Sequence, residues 1–184
     1  MKTTYSLDPA HTSAQFSVRH MMISNVRGAF GKVTGSLVYD PDDPAASHVE
    51  AAIDVASINT NEPQRDNHLR SADFFDVAHF PAITFTSRIV EHPEEDEWKV
   101  SGDLTIRGVT RPVVLRVESL TPEVKDPFGN LRMGLSASTK IKRSDFGLTY
   151  NAALETGGVL IGDDVKIVID VSAIRQATST VSPA

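Results

Sequence analysis

The sequence predicts an all-β domain of eight antiparallel strands, paired as a sandwich or closed into a barrel. Three observations carry this. Apolar and polar residues alternate with a period of two in eight separate stretches, turn-forming residues punctuate them, and only the segment between the third and fourth stretches breaks the pattern with helix signals.

The first strand is expected over residues 13–23, with Ala14, Phe16, Val18 and His20 on one face and Ser13, Gln15, Ser17 and Arg19 on the other. The second spans residues 32–40 (Val33, Gly35, Leu37, Tyr39) and the third residues 48–57 (Val49, Ala51, Ile53, Val55). Between the third and fourth, Asn61 with Gln64 forms a loose capping box, Pro63 suits a first helical turn, and Leu69, Phe74, Val77 and Phe80 supply apolar anchors before Pro81. One or two short helices are expected there. The fourth strand covers residues 82–90 (Ile83, Phe85), and the fifth covers residues 98–107 (Trp98, Val100, Gly102, Leu104, Ile106). The sixth covers residues 112–120, the seventh residues 131–141 (Met133, Leu135, Ala137) and the eighth residues 164–172 (Val165, Ile167, Ile169).

Residues 40–44 and 92–96 read as loops by composition. Gly108 reads as the first residue of a two-residue type II′ hairpin turn. Pro112 cannot donate to a ladder and belongs at a strand start, an edge or a bulge. Residues 143–163 form a second long connection, of a length that is usually functional or structured. The domain is assigned to residues 1–175, and residues 176–184 read as a disordered tail. No internal repeat is visible.

Composition narrows the function classes. The 184-residue chain has a net charge of −6 with scattered Lys and Arg, which argues against a nucleic-acid partner. It has no cysteine, so disulfides, thiolate metal sites and Cys nucleophiles are out. The first residues lack the apolar core of a signal peptide, and no apolar run approaches a membrane span, so a cytoplasmic location is expected.

Closure into a barrel would remove exposed strand edges, and an eight-stranded barrel can hold one small ligand. The residues phased inward include Phe16, Val18, His20, Phe30 and Ile53 from the first half, with Phe85, Leu104, Leu135 and Ile167 from the second. Gly28, Gly35, Gly102, Ala51 and Ala137 lie among them. Small residues can leave room for a ligand or receive larger neighbours in a solid barrel, so both outcomes stay open at this stage.

The motifs "DPAHT" (residues 8–12), "RDNHLRSADFF" (65–75), "FPAITF", "GDLTIRGVTRPVVL" (102–115) and "RSDFGL" (143–148) occur in that order. Together they resemble the YceI-like polyisoprenoid-binding family over roughly residues 4–173. The resemblance implies a lipocalin-like barrel with an elongated apolar pore, a polyisoprenoid or similar long-chain amphiphile as ligand, and a homodimer as the usual assembly. Some relatives are joined to cytochrome-like membrane domains, which makes an isoprenoid quinone one candidate. This chain departs from the family in carrying Thr12 where Ser is commoner, and in beginning without the signal peptide many relatives have.

The polar residues near the third connection allow several chemistries. His68, Asp73, Asp76 and His79 could ligate zinc, though not with the spacing of a helical His pair. His68 oriented by Asp66 or Asp73 could act as a general acid or base on a lipid-like substrate. No nucleophile declares itself and no phosphate-binding loop is present. The alternative is a structural lid made of Arg65, Asp66, His68, Leu69, Phe74 and Phe75, in which Asp66 pairs with Arg65 or Arg70 and the two Phe plug the barrel end. Neither a metal nor a cofactor is expected. His11 reads as hydrogen-bonded to a neighbouring loop. His20 shares the phase of Phe16 and would offer a hydrogen bond to a ligand oxygen or to a strand neighbour. Arg143 would either meet an anionic head group through paired donors or form an ion pair with Asp145 or Asp66.

Overall fold

The computed structural model describes residues 1–94 and 97–177. Its strands, in chain order, are β1 (Thr3–Leu7), β2 (Ser13–His20), β3 (Ser24–Phe30), β4 (Val33–Tyr39), β5 (His48–Asp54) and β6 (Ile58–Asn59), then, after helix α1 (Pro63–Arg70), β7 (Ala82–Glu94). They continue with β8 (Glu97–Ile106), β9 (Val109–Leu120), β10 (Val124–Lys125), β11 (Leu131–Lys142) and β12 (Ile161–Arg175). A ring of eight closes the barrel: β1, β4, β5, β7, β8, β9, β11 and β12 each pair antiparallel with the next, and β12 returns to β1.

Three further segments lengthen this ring at one end. Where β1 leaves the edge of β12 (Leu7 opposite Ala173), β2 takes it over (Ala14 opposite Ile169). Likewise β3 pairs with β2 as β4 pairs with β1, and β6 extends β5. The end built from β2, β3, β6, α1 and residues 143–160 is termed the lid half, and the other the far half.

The eight walls are therefore as expected, but three of them are bent strands. The sequence pattern missed β1, whose inward residues are only Tyr5 and Leu7, and β3, where Gly28 interrupts the apolar phase. The first predicted strand also stops at His20. Met21 and Met22 adopt positive φ (51° and 63°) and reverse the chain, so an apolar run that looks like strand is a hairpin tip.

Other local differences have similar causes. The β8–β9 turn has Arg107 and Gly108 as its two central residues, both with positive φ (50° and 73°), which makes it type I′ with Gly108 second, not type II′ with Gly108 first. Pro112 sits inside β9 opposite Asp103. The tight turn alternates the hydrogen-bonded pairs so that Pro112's missing donor faces away from β8, where β9 pairs with β11 only from Arg116 onward. Residues 92–94, expected in a loop, continue β7, and His92 stacks on Trp98 at 4.2 Å; residues 95–96 lie outside the described residues. Gln176, assigned to the tail, still donates its backbone N–H to Thr4 O, while residues 178–184 lie outside the described residues.

A single α-helix forms in the third connection. Its N-cap is Glu62, whose carboxylate accepts from Arg65 N at 2.7 Å, and not Asn61, which holds a positive φ of 60°. Pro63 occupies the first turn as expected, where its missing N–H costs nothing. The most deeply buried large side chains are Val55, Ile58 and Phe146, each 1% exposed, and they lie in the short helical turns and β6 beside the barrel. Phe16, Ile53, Leu135 and Ile169 on the barrel's inner wall are only partly buried.

Candidate ligand cavity and its lid

The inner wall of the barrel encloses a cavity of about 460 Å³. Nine of the residues phased inward by the alternation line it: Phe16, Val18 and His20 from β2, Phe30 from β3, Ile53 from β5, Phe85 from β7, Leu104 from β8, Leu135 from β11 and Ile167 from β12. Alternation fixes side-chain direction within a strand, so once the ring closes one face of every strand must meet inside.

The small residues have two fates. A Cβ on Gly28 would lie 2.5 Å from Phe16 Cζ, and one on Gly102 would lie 2.7 Å from the Phe85 ring. These glycines receive aromatic rings and leave no free space. Ala51 and Ala137 do face the cavity.

The two ends of the cavity differ. Leu37, Tyr39, Val49, Val90, Trp98 and Val117 line the far half, where Tyr39 and Trp98 pack at 5.6 Å between centroids. Around the lid half the wall includes Arg19, His20, Arg65, His68 and Arg143, and among the described residues no Asp or Glu lines the cavity at all. Gln15 and Arg19 are exposed on the outer face of β2, but His68 and Tyr150 are exposed at the cavity wall itself, and both belong to the lid half, so this is the end that opens.

The lid is held by arginines that donate to backbone carbonyls. Strand β6 carries no partner strand on its outer edge, and its neighbourhood presents carbonyls that a sheet would otherwise satisfy. Arg70 donates to Ala56 O (3.1 Å) and Ile58 O (2.9 Å), and Arg65 to Thr60 O (2.9 Å) and Thr60 Oγ1 (2.8 Å). Asp66 turns inward and accepts from the backbone N–H of Thr60 at 2.9 Å. The expected ion pair of Asp66 with Arg65 or Arg70 is not formed among the described residues. Of the proposed lid residues, Asp66 alone does not reach the cavity, whereas Arg65, His68, Leu69, Phe74 and Phe75 do. Phe75 packs edge-on to Phe30 (5.7 Å), which fixes the lid against the barrel wall.

His68 Nε2 lies 2.8 Å from Asp73 Oδ2, and its ring packs edge-on to Phe74 (5.0 Å) and Tyr150 (4.9 Å). Of the two carboxylates considered for orienting it, Asp73 is the one in place. His79 pairs separately with Asp76 at 2.9 Å. The candidate zinc set thus splits into two His–Asp pairs, and among the described residues no three His, Cys, Asp or Glu converge as metal ligands.

Arg143 forms an ion pair with neither Asp145 nor Asp66. Its guanidinium donates to four carbonyls, Leu148 O (2.6 Å), Gly162 O (2.8 Å), Tyr150 O (2.9 Å) and Ile161 O (3.2 Å), and so gathers both ends of the long connection. These bonds leave at most one N–H for a head group, not a pair. Burial works against its charge, and nearby Asp163 favours it. Neither this clamp nor the Arg70 clamp has a signal in residue spacing.

His11 bonds to Asp8 of its own turn (2.8 Å), not to a neighbouring loop. Arg132 also reaches Asp8 (2.6 Å) as well as Asp126 (2.7 Å). The "DPAHT" motif is therefore a corner that ties the bend between β1 and β2 to the start of β11.

With this geometry, comparison with known proteins is decisive for the family. A model of the YceI-like domain matches residues 5–173. The chain belongs to the YceI-like family. UPF0312 protein SAS2572 of Staphylococcus aureus (strain MSSA476) is 39% identical over 165 residues, 89% of this chain and 93% of that protein. The YCEI protein of Campylobacter jejuni shares 33% identity and a TM-score of 0.72, over 86% of this chain and 90% of that one. BcnA of Burkholderia cenocepacia (TM-score 0.78, 24% identity, 94% and 99% coverage) shares the fold. So does a polyisoprenoid-binding domain from Saccharophagus degradans (0.69, 18%, 95% and 99%). This YceI-like barrel has no helix, among the described residues, long and apolar enough to cross a membrane.

Proposed function

We propose that this protein binds and sequesters or carries a polyisoprenoid or similar long-chain amphiphile, with an isoprenoid quinone as one candidate, and performs no chemistry on it. The observation that carries this reading is the continuous apolar cavity, walled by the inner faces of all eight strands and open at one end. Its volume of about 460 Å³ falls within the range of roughly 300–1,000 Å³ usual for small-molecule sites. The binding named for the S. degradans domain, on the same fold, agrees with it.

The apolar chain would lie toward Tyr39 and Trp98, and the head group would sit among Arg19, His20, Arg65 and His68, where the wall carries positive charge and no carboxylate. Burial of methylenes contributes up to roughly 0.8 kcal/mol each, while drug-sized ligands retain about 0.3 kcal/mol per heavy atom after ordering costs. Chain length should therefore govern affinity more than the head group does.

Organic extraction and native mass spectrometry of the purified protein test the proposal. A co-purified amphiphile is expected, and a dry barrel that takes up no prenyl probe would overturn it. Leu104→Arg places an unpaired charge in the cavity and should abolish binding of a fluorescent polyene; unchanged affinity in a folded variant would count against the cavity as the site. His68→Ala should change ligand exchange while removing no turnover. Loss of a hydrolytic or isomerase activity, with binding intact, would instead favour the His68–Asp73 pair as a catalytic centre. A homodimer should sediment at twice the 20.0 kDa chain mass, and a constant monomer mass would exclude it.

A further inference from the structure

The hairpin that joins β2 to β3 ends on Met21, Met22 and Ile23, which are 44%, 54% and 75% exposed. Met21 and Met22 hold φ of 51° and 63°, a left-handed conformation that hairpin tips ordinarily assign to Asn, Asp or Gly. A tip that only reverses the chain gains nothing from two strained methionines and an isoleucine in water. Backbone strain and exposed apolar area coincide here, as they do at contact surfaces. The backbone N–H of Met21 donates to Leu160 O at 2.8 Å, and the Met22 side chain packs on Gly158, so the tip is joined to the long connection. That connection adds Tyr150 and Val159, 37% and 40% exposed. The tip adjoins the cavity's open end, since Arg19, His20, Tyr150 and Leu160 line it.

The two strands that carry the tip are basic, while the connection beside it brings Glu155 and Asp163. Residues 9–39 contain Arg19, Arg27 and Lys32 and no Asp or Glu, in a chain of net charge −6. Arg19 donates to Met22 O at 3.0 Å, which holds its guanidinium beneath the tip. On the outer face, Arg27 and Lys166 flank Ser17 on its two sides, and Lys166 stands opposite Lys140, itself paired with Asp164 at 2.8 Å. Asp164 answers Lys140, which leaves Arg27 and Lys166 as the cations this face presents to an anionic surface.

We propose that the β2–β3 tip seats the cavity mouth on an anionic lipid bilayer. Met21, Met22 and Ile23, with Tyr150 and Val159, enter the boundary between head groups and acyl chains, and Arg19, Arg27 and Lys166 meet anionic head groups. The amphiphile then passes between bilayer and cavity without its chain crossing water. This rests on the binding function proposed above.

The test is co-sedimentation with vesicles of phosphatidylcholine containing about 30% phosphatidylglycerol, beside vesicles of phosphatidylcholine alone. The protein should bind the anionic vesicles and release them in high salt. The triple variant Met21→Asn, Met22→Gly, Ile23→Ser places residues that suit the turn, and should lose about tenfold or more in vesicle affinity. Its affinity for a polyene probe without vesicles should be unchanged. Vesicle binding that the triple variant retains, or no binding by the unaltered protein, overturns the proposal. A variant that dissociates a dimer while keeping vesicle affinity also overturns it, and makes the tip a contact between copies. Vesicle binding lost in the variant, with no polyene uptake by either protein, supports the docking tip and removes the cavity reading instead.

Discussion

In the far half of the barrel Arg132 donates to Asp8 and Asp126, and Arg175 to Glu123 (3.2 Å), whereas in the lid half Arg65, Arg70, Arg107 and Arg143 donate to backbone carbonyls. Regular strands in the far half satisfy their own backbone, so its arginines are free to meet carboxylates. The lid half is made of short helical turns, a two-residue strand and a long connection, and its carbonyls need outside donors. A guanidinium, with five N–H groups in a fixed plane, can serve several at once. The two solutions differ in residual charge. A carboxylate neutralises an arginine, but a carbonyl does not, so Arg65 and Arg143 keep their charge beside a cavity that, among the described residues, no Asp or Glu lines.

The difference between the two halves rests most heavily on Arg143. Arg143→Met should strand four carbonyls and cost about 3 kcal/mol or more of stability, read from urea unfolding. A loss below about 1 kcal/mol would show that the long connection re-pairs without it. Arg143→Lys should recover little, because an ammonium cannot span four acceptors held by a planar fork.

A smaller effect separates the halves by pH. The Arg132 hydrogen bond, helped by His11, lowers the Asp8 pKa from an ordinary 3.8 to about 2, and Arg132 and Asn130 likewise hold Asp126 far below the carboxylate range. A depressed pKa stabilises the fold above the unfolded value and is lost as pH falls through the folded one. Acidification from pH 4 toward pH 2 should therefore loosen the corner at residues 8–12 and the start of β11, detectable by amide exchange, and leave the carbonyl clamps of the lid intact. Asp8→Asn should flatten that acid dependence. Equal loss of protection in both halves would remove the distinction.

The smallest expected effect lies at Tyr5, whose hydroxyl donates to Glu123 at 2.7 Å. Burial and then Glu123 raise its pKa from 10.0 to about 12. The phenol's contribution is present below pH 10 and fades as pH rises through about 12. Tyr5→Phe should cost about 1 kcal/mol near neutrality and abolish the alkaline dependence, with no effect on the lid.

The eight walls and the inward set from Phe16 to Ile167 are legible along the chain, because period two is a local property of each strand and needs no knowledge of its neighbours. The hairpin tip at Met21 escaped it, since an apolar run does not reveal where φ changes sign. The tertiary structure alone decided what lies between the walls. Phe16 fills the space over Gly28 and Phe85 that over Gly102, while Ala51 and Ala137 face open volume, and only the pairing register distinguishes these cases. It alone also decided the partners of Asp66, Arg70 and Arg143. Which carbonyls lack a ladder partner follows from where β6 ends and where the long connection folds back, and no spacing along the chain records an unpaired edge.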